Sequence, residues 1–499
     1  PGHELGCGLV RSVMCIRDRG ASRPGVTGEA PSDVLWHYNL SARHLDKLCE
    51  RVDTFSVSGD GERLVVRHRD DTIVVPSSHK VDDDDPAYIR VDLTRLRRTV
   101  NPRAEWRQMF DENGRLMASH YWREDMNGVD WDSVLNRYRP LVDLCHVVDD
   151  LHDILWETVA ELNTSHSYVS ASGAAGDSDM RAGLLGADVS SGNDGAKVVR
   201  VIPGESSDPR AWSPLRAAGV AVTEGDVIVA VDGRKVGADG NLGELLEGSA
   251  GRVVELTVRR GENERQVAVV PMADEAPLRY HDWVASRRRY VEEHSGGRLG
   301  YLHVPDMVSD GWAELHRQIG EATRHEGVIA DVRFNHGGHT SQLVVERLAR
   351  RVVGWDYSRW YATADTYPQN AVRGPIVMVT NQWAGSDGDI VAAATQAMGY
   401  AKVIGERSWG GVVGIDGRFD LVDGTSVTQP RYAGWYGSYG WGVENHGVDP
   451  DIVVTVSPED WEADCDVQLD AAIAECLRQL DDKPAATAPE LPGPAFDRC

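Results

Sequence analysis

The sequence predicts a multidomain α+β protein whose C-terminal part is an α/β domain with a mainly parallel sheet. The chain has 499 residues, and single hydrophobic cores seldom grow beyond about 250–300 residues. Strand-like and helix-like segments alternate between residues 298 and 456, which is typical of a parallel sheet covered by helices. Residues 30–97 and 181–271 are instead dominated by short segments with strand character, so several domains of different class are expected.

Residues 30–97 are expected to be β-rich. The segment "FSVSGDGERLVVRHRDDTIVVP" (55–76) alternates apolar and polar residues around "SGDGE", as a hairpin does. "YIRVDLTRL" (88–96) adds another candidate strand. Because two or three strands do not bury a core alone, we expect the end of a larger β domain that is truncated upstream. The chain begins with proline, which also suggests a piece of a longer protein, and residues 1–29 fit no pattern and stay unassigned.

Residues 98–172 are predicted to form a helical domain. Trp106, Met109 and Phe110 recur at the i, i+3, i+4 spacing that one buried helix face requires. The segment "GAAGDSDM" (173–180) that follows is rich in small residues and is expected to be a flexible linker.

Residues 181–272 are predicted to form a compact β-rich domain. "SPLRAAGVAVTEGDVIVAVDGRKV" (213–236) contains a short helix, a glycine turn, a strand and a "DG" turn, and "GRVVELTVRR" and "ERQVAVVPM" can pair across "GEN". This unit resembles a PDZ domain, although "GLLGADV" (183–189) matches the usual carboxylate-binding loop only loosely. Strand addition of a peptide C-terminus is therefore one hypothesis for its function.

Residues 278–475 are predicted to form the α/β domain, and the Pro- and Ala-rich residues 476–499 a disordered tail. Helical patterns in "GWAELHRQIGEATRH" and "QLVVERLARRVV" separate the apolar strand-like runs. The predicted strands are "LGYLHVP" (299–305), "GVIADVRF" (327–334), "GPIVMVT" (374–380), "AKVIGE" and "DIVVTV".

Charge and composition exclude some classes of partner. The formal net charge is −26, from 78 acidic and 52 basic residues, which disfavours nucleic acid and anionic membranes because both repel it. The acidic run "DDDDP" (82–86) is predicted to be a solvated loop; a calcium site is the alternative, but spaced ligands are missing. Seven scattered cysteines, the lack of a long apolar run and the lack of a signal peptide predict a cytoplasmic protein with reduced thiols.

Ser386 lies in "NQWAGSDGDI" (381–390), between a predicted buried strand and the helical "IVAAATQAMGY". Serine is a preferred helix N-cap, and this segment alone favours that interpretation. A nucleophile is the alternative, since the free N–H groups of a helix N-terminus also hold a developing oxyanion.

A serine nucleophile needs a positioned base. A serine–lysine dyad, as in tail-specific proteases, is disfavoured because Gly410 and Gly411 stand where the lysine is expected. The other option is one of the 17 histidines. "NTSHSYV" (163–169) stands out, because it follows the helical segment in a polar turn from which a side chain can reach a cleft.

Five motifs together make a specific resemblance. "TSHSY", "DVRFNHGG", "AGSDGD", "RSWGGVVGI" and "GVENHGVDPD" occur in the order and at the separations of the tricorn peptidases, which trim peptides released by the proteasome. The resemblance covers residues 30–475 and implies the end of a β-propeller, a helical domain, a PDZ domain and a crotonase-like catalytic domain. It also implies a cytoplasmic homo-hexamer with aminopeptidase partners. Members of the family carry propellers before the helical domain, and this chain contains at most the end of one.

The resemblance also implies roles for individual residues. Ser386 corresponds to the nucleophile and His166 to the general base, and Ser165 and Glu444 complete the tetrad. The backbone N–H groups of Gly338 and Asp387 correspond to the oxyanion hole.

Asp356 corresponds to the acidic residue that selects basic side chains at P1, although its separation from Ser386 is about one residue longer than in the family pattern. Each of these residues also has an ordinary structural interpretation: Ser165 as a turn serine, Glu444 as a surface carboxylate and Asp356 as a strand-end turn residue. The resemblance implies no cofactor and no metal.

Two other classes of function compete with a serine peptidase acting on peptide substrates. A PDZ-centred binding or scaffold protein with an inactive protease-like domain is one, but such a protein need not retain Ser386, His166 and Glu444 together. An acyl-CoA-handling crotonase is suggested by fold analogy alone. A zinc metalloprotease is disfavoured because HExxH does not occur.

Overall fold

The computed structural model divides into two compact units, Pro1–Val100 and Asn101–Cys499. Parts of the predicted N-terminal segment, linker and tail, namely residues 1–7, 11–12, 20–29, 173–179 and 492–499, lie outside the described residues. Among the helices that the structure describes, none is long and apolar enough to cross a membrane. The described residues are 8–10, 13–19, 33–69, 71–97, 99–172, 180–237, 241–360, 362–416 and 419–491.

The first unit contains two four-stranded antiparallel sheets, in the orders β1-β2-β3-β4 and β5-β6-β7-β8. Strands β3 to β7 share a core that includes Leu35, Leu64 and Val75. Six strands follow residue 30, where the sequence predicted two or three. The run 82–86 is an exposed turn, as predicted. The strands are β1 (Gly8–Val10), β2 (Val13–Arg19), β3 (Asp33–Asn39), β4 (His44–Glu50), β5 (Thr54–Val57), β6 (Arg63–His68), β7 (Asp71–Pro76) and β8 (Ile89–Val91).

The second unit begins with three helices. Asn101 caps the first by accepting the Ala104 N–H, and proline at the first helical position removes a donor that would otherwise be unpaired. Met109 and Phe110 are fully buried on its inner face and Trp106 packs against the same cluster, which confirms the predicted spacing. The elements are α1 (Pro102–His120), α2 (Trp131–Val142), α3 (Val148–Ala160) and the short strand β9 (Val169–Ser170).

The next segment forms a six-stranded antiparallel sheet with the order β10-β11-β12-β14-β15, and β13 pairs with β12. The predicted hairpin is confirmed, since β14 and β15 pair from Arg260 opposite Asn263. The elements are β10 (Ala187–Gly192), β11 (Gly195–Val201), β12 (Val227–Val231), β13 (Arg234–Lys235), α4 (Leu242–Leu245), β14 (Val254–Arg260) and β15 (Asn263–Val269).

The last segment contains a five-stranded parallel sheet with the order β16-β17-β20-β21-β25, as the alternation of strands and helices predicted. Three two-stranded ladders flank it: β18 with β19, β22 with β24, and β23 with β9. The elements are α5 (Ala276–His294), β16 (Leu299–His303), α6 (Ser309–Ala322), β17 (Gly327–Asp331), α7 (Ser341–Leu348), β18 (Gly354–Asp356), β19 (Asp365–Tyr367), β20 (Ile376–Thr380), α8 (Asp387–Met398), β21 (Ala401–Gly405), β22 (Gly414–Asp416), β23 (Ser426–Val427), β24 (Gln429–Tyr432), β25 (Ile452–Val453), α9 (Pro458–Glu462) and α10 (Val467–Asp482).

Helices cover both faces of the parallel sheet. Side chains of one strand alternate between the faces: Val328 and Ala330 pack with α6, α7 and α8, whereas Ile329 packs with α5 and α10. One boundary is corrected, because the predicted disordered tail from residue 476 begins inside α10. Cys476 and Leu480 are buried in the core because the helical apolar spacing that starts at Leu469 continues through them.

Candidate active site

Ser386 lies in a tight turn between β20 and α8, where the carboxyl end of a central strand meets a helix N-terminus. Its backbone has φ 58° and ψ −119°, a left-handed conformation that costs a non-glycine residue about 1–3 kcal/mol. Ser386 is the N-cap residue by position, but its side chain makes no capping hydrogen bond. The capping interpretation therefore does not account for this hydroxyl, and the turn holds it half-buried at the helix N-terminus.

The glycines of "NHGG" let a second backbone segment approach this turn. Gly337 has φ 75°, and a Cβ placed on it would lie 2.5 Å from the Ser386 Cβ. A Cβ on Gly338 would lie 2.2 Å from the Met307 carbonyl oxygen. Met307 donates to the Gly337 carbonyl and accepts from the His339 N–H, both at 2.8 Å, so this bridge directs the Gly338 N–H away from Met307.

Asp387 is the first residue of α8, where a backbone N–H has no partner within the helix. Its side chain has a separate function that the sequence did not reveal. The carboxylate is 6% exposed and accepts the N–H of Ser341, at the start of α7, at 3.0 Å. Burial raises the pKa of this carboxyl. Asp387 thus joins the two helices that flank the Ser386 turn.

His166 is held in a turn after α3 by the C-terminal part of the chain. β9 pairs with β23 through Val169 opposite Val427, and the Thr428 hydroxyl donates to the His166 carbonyl. The His166 ring is half-buried, and its Nδ1 has no hydrogen-bond partner in the part of the chain that the structure describes. Burial lowers the pKa of His166 below its ordinary value, while the Glu444 carboxylate acts in the opposite direction, so the neutral imidazole that a general base requires is favoured.

Trp409 brings the histidine and the serine turn together. Its ring lies 5.4 Å from the His166 ring, centroid to centroid, and its Cε3 would be 2.7 Å from a Cβ on Gly385. The backbone N–H of Trp409 donates to the Ala384 carbonyl at 3.0 Å. One indole therefore packs against both the imidazole and the residue that precedes Ser386.

Glu444 is hydrogen-bonded to Ser165. Glu444 Oε2 accepts the Ser165 hydroxyl at 3.0 Å, and Oε1 accepts the Ser165 N–H at 2.6 Å. Three further donors converge on this carboxylate: Thr164 Oγ1 at 3.4 Å, Val412 N at 2.8 Å and Val413 N at 3.1 Å. None of these three donors could be recognised from the sequence: two are backbone N–H groups without side-chain identity, and a threonine hydroxyl beside Ser165 has many ordinary uses.

Gly410 and Gly411 have a structural function at the position where a serine–lysine dyad would place its lysine. Their N–H groups donate to the fully buried carboxylate of Asp389, at 2.8 and 3.3 Å. Gly410 has φ 90°, and a Cβ there would lie 2.6 Å from the Gly447 backbone nitrogen. Burial raises the pKa of the Asp389 carboxyl. Asp389 thus anchors the segment that leads to the Glu444 partners.

Asp356 makes no hydrogen bond or ion pair that joins it to Ser386, His166 or Glu444 among the described residues. It is exposed at the end of β18, opposite the exposed Asp365 of β19.

Comparison with known protein families assigns three segments of the chain. Residues 298–454 match peptidase family S41, residues 183–274 match the tricorn protease PDZ domain and residues 102–160 match the tricorn protease C1 domain. The S41 match defines the class: the chain carries a serine-type peptidase domain. Within that class, the chain belongs to the tricorn protease family.

Individual relatives agree with this assignment. The chain is 55% identical over 478 residues to tricorn protease homolog 1 of Streptomyces coelicolor, covering 95% of this chain and 45% of the relative. It is 35% identical over 454 residues to tricorn protease of Thermoplasma acidophilum, covering 91% and 42%. The crystal structure of the tricorn protease superposes with a TM-score of 0.86 at 32% identity, covering 95% of this chain and 46% of that one. The chain thus spans less than half the length of these relatives.

Proposed function

We propose that this chain hydrolyses oligopeptides of the kind a proteasome releases, through an acyl-enzyme formed on Ser386. The observation that carries the proposal is the Ser386 turn itself. Ser386 has a positive φ, and its hydroxyl makes no capping hydrogen bond to the helix N-terminus. Gly337 approaches the Ser386 Cβ closely. Strain of this kind persists only where the surrounding structure supports it, and it concentrates at functional sites.

In the proposed reaction, Ser386 Oγ attacks the carbonyl carbon of the scissile peptide bond while His166 takes the hydroxyl proton. The resulting oxyanion accepts hydrogen bonds from the Gly338 and Asp387 N–H groups. When the C–N bond breaks, His166 returns the proton to the leaving amine. Water, deprotonated by His166, then hydrolyses the ester and regenerates the Ser386 hydroxyl.

Ser165 and Glu444 are proposed as positioning residues. The Ser165 hydroxyl donates to Glu444, and among the described residues His166 Nδ1 has no hydrogen-bond partner. A shift of the Ser165 side chain that keeps its bond to Glu444 would let its oxygen accept the Nδ1–H of the imidazolium. The negative charge of Glu444 then stabilises the imidazolium that forms during attack.

We further propose that Asp356 favours basic side chains at P1. Two exposed carboxylates, Asp356 and Asp365, lie directly opposite each other in one ladder. Like charges in that position destabilise a sheet, so a cationic ligand that relieves the repulsion would bind there favourably.

The wider assignments rest on the family motifs. We propose that residues 30–97 are the last part of a β-propeller, residues 98–172 a helical domain, residues 181–272 a PDZ-like domain and residues 278–475 a crotonase-like domain. The whole protein is proposed to be a cytoplasmic homo-hexamer that passes its products to aminopeptidases.

Fluorophosphonate labelling of the purified chain tests the central proposal. We expect one covalent label on Ser386, located by mass mapping, that Ser386→Ala abolishes and that Ser190→Ala, at an exposed serine of β10, leaves unchanged. His166→Ala and Ser386→Ala should each lower peptide hydrolysis at least about 10³-fold. Absence of label together with peptide binding would instead favour a PDZ-centred binding protein.

A further inference from the structure

A cavity of about 670 Å³ lies beside the Ser386 turn, at the carboxyl ends of the parallel strands. Ligands of α/β sheets bind in crevices at this edge. Phe334 follows β17, Asn381 and Trp383 follow β20, and Glu406 follows β21. The opposite wall comes from α5, α9 and the start of α10.

The turn that carries Ser386 also carries residues of the cavity wall and is hydrogen-bonded to Phe334. The Asn381 side chain accepts the N–H groups of Phe334 at 3.0 Å and Trp383 at 3.2 Å. Trp383 is three residues from Ser386, so their Cα atoms are at most about 11 Å apart. Because an extended peptide advances about 3.3 Å per residue, a substrate bound at Ser386 reaches the cavity with a residue two to four positions from the cleaved bond.

The two arginines of the cavity wall are already paired. Arg333 is buried and its guanidinium lies 2.7 Å from both Asp331 and Asp466. Arg287 also binds Asp466, at 3.2 Å. In the part of the chain that the structure describes, the only side-chain hydrogen bond of Glu406 is with the Gln468 amide at 3.4 Å, and no cation lies within ion-pair distance of its carboxylate. The cavity therefore presents a carboxylate without a cationic partner.

Aromatic rings form much of the remaining wall. Trp383 is 64% exposed, Trp461 77% and Phe334 40%, and all three line the cavity. Aromatic faces attract ammonium and guanidinium groups. A neutral apolar side chain in the same place would desolvate the Glu406 carboxylate without compensating its charge, which is unfavourable. A cation satisfies both the carboxylate and the rings.

We propose that this cavity binds a positively charged side chain of the peptide substrate, two to four residues from the scissile bond. The inference rests on the proposed peptidase function and adds a second recognition site, separate from Asp356. Glu406 supplies the countercharge, and Trp383 and Trp461 enclose the alkyl stem and the charged head.

Calorimetry on the full chain carrying Ser386→Ala tests this without turnover. The probes are acetylated, amidated alanine-rich octapeptides with one arginine moved stepwise along the chain, each compared with its citrulline isostere, which has the same shape and no charge. We expect arginine to bind about tenfold tighter than citrulline, or about 1.4 kcal/mol, at one position away from the cleaved bond. Glu406→Gln should remove this preference, and Trp461→Ala should reduce it.

Glu462→Gln is the matched control, because Glu462 is exposed at the end of α9 and does not line the cavity. Equal binding of arginine and citrulline peptides at every position would overturn the proposal. So would a preference that survives Glu406→Gln but disappears in Asp356→Ala. Labelling of Ser386 in the otherwise unchanged chain reports separately on the peptidase function, so failure of this inference can be distinguished from failure of the proposed peptidase function.

Discussion

The Glu444 carboxylate offers the sharpest test of the proposed mechanism. Each of its oxygens accepts hydrogen bonds from more than one donor: Oε1 from Ser165 N and Thr164 Oγ1, and Oε2 from Ser165 Oγ, Val412 N and Val413 N. Glu444→Gln keeps the shape but replaces one oxygen with an NH₂ donor. The least costly orientation places that group at Oε1, because the Thr164 hydroxyl can accept from it. The Ser165 N–H then loses its acceptor.

The expected effect on catalysis follows from the lost charge. A carboxylate linked to the imidazolium through one hydroxyl lies roughly 6 Å from it, the length of two hydrogen bonds. At an effective dielectric constant of about 20, that attraction is about 2.8 kcal/mol. We therefore expect kcat/KM for peptide hydrolysis to fall about 10²-fold, mainly through kcat, because the imidazolium forms only during the reaction.

The pH profile distinguishes this electrostatic role from a structural one. Neutral His166 is the active base, so activity rises as pH increases through its pKa, which burial lowers and Glu444 raises. Removal of the Glu444 charge should shift the acidic limb of kcat/KM to lower pH. Glu293→Gln, at an exposed residue of α5, is the control. A fall of less than about threefold, or an acidic limb that moves to higher pH, would refute the reasoning.

Three further changes give separable outcomes. Gly337→Ala places a Cβ 2.5 Å from the Ser386 Cβ, so fluorophosphonate labelling should slow at least about tenfold while the fold is retained, and an unchanged labelling rate would contradict this packing. The amide of Asp389→Asn cannot accept hydrogen bonds from Gly410 and Gly411 with the strength of the carboxylate. The weakened Gly410 bond should lower the free energy of unfolding by about 1–3 kcal/mol, measured by urea denaturation. An unchanged denaturation midpoint would show that Asp389 does not anchor the Gly410–Gly411 segment. Asp356→Ala should slow cleavage after Arg or Lys reporters selectively, and an equal loss for apolar P1 reporters would show a structural role instead.

Much of the fold could be predicted from local patterns. The alternation of apolar strands and amphipathic helices predicted the parallel sheet, and the α1 spacing predicted its buried face, because both periodicities follow from backbone geometry. The end of the C-terminal domain was predicted less well. The prediction of a disordered tail, based on the Pro- and Ala-rich composition after residue 483, wrongly included Cys476 and Leu480. The apolar spacing of α10 continues through both residues.

The site was predicted in its parts rather than in its assembly. The strand–serine–helix order placed Ser386 in a turn, as observed, whereas the packing of Gly337 against that turn was not predicted. The contributions of Asp389 and Trp409 were not predicted. An aspartate in the first turn of a helix, such as Asp389, is usually explained as a favourable partner of the helix dipole. A tryptophan in a loop, such as Trp409, does not indicate from the sequence which residues it will contact.

The sequence by itself determined the domain order, the class of the sheet and the residue types available for catalysis, since these depend on spacing along the chain. Only the tertiary structure decided that Trp409 packs against both His166 and Gly385, although His166 stands 220 residues before Ser386 in the sequence. That proximity depends on the β9–β23 pairing, the Trp409 contact and the Glu444 bonds to Ser165. Each of these joins segments that are distant in the chain, and local periodicity carries no information about which distant segments meet.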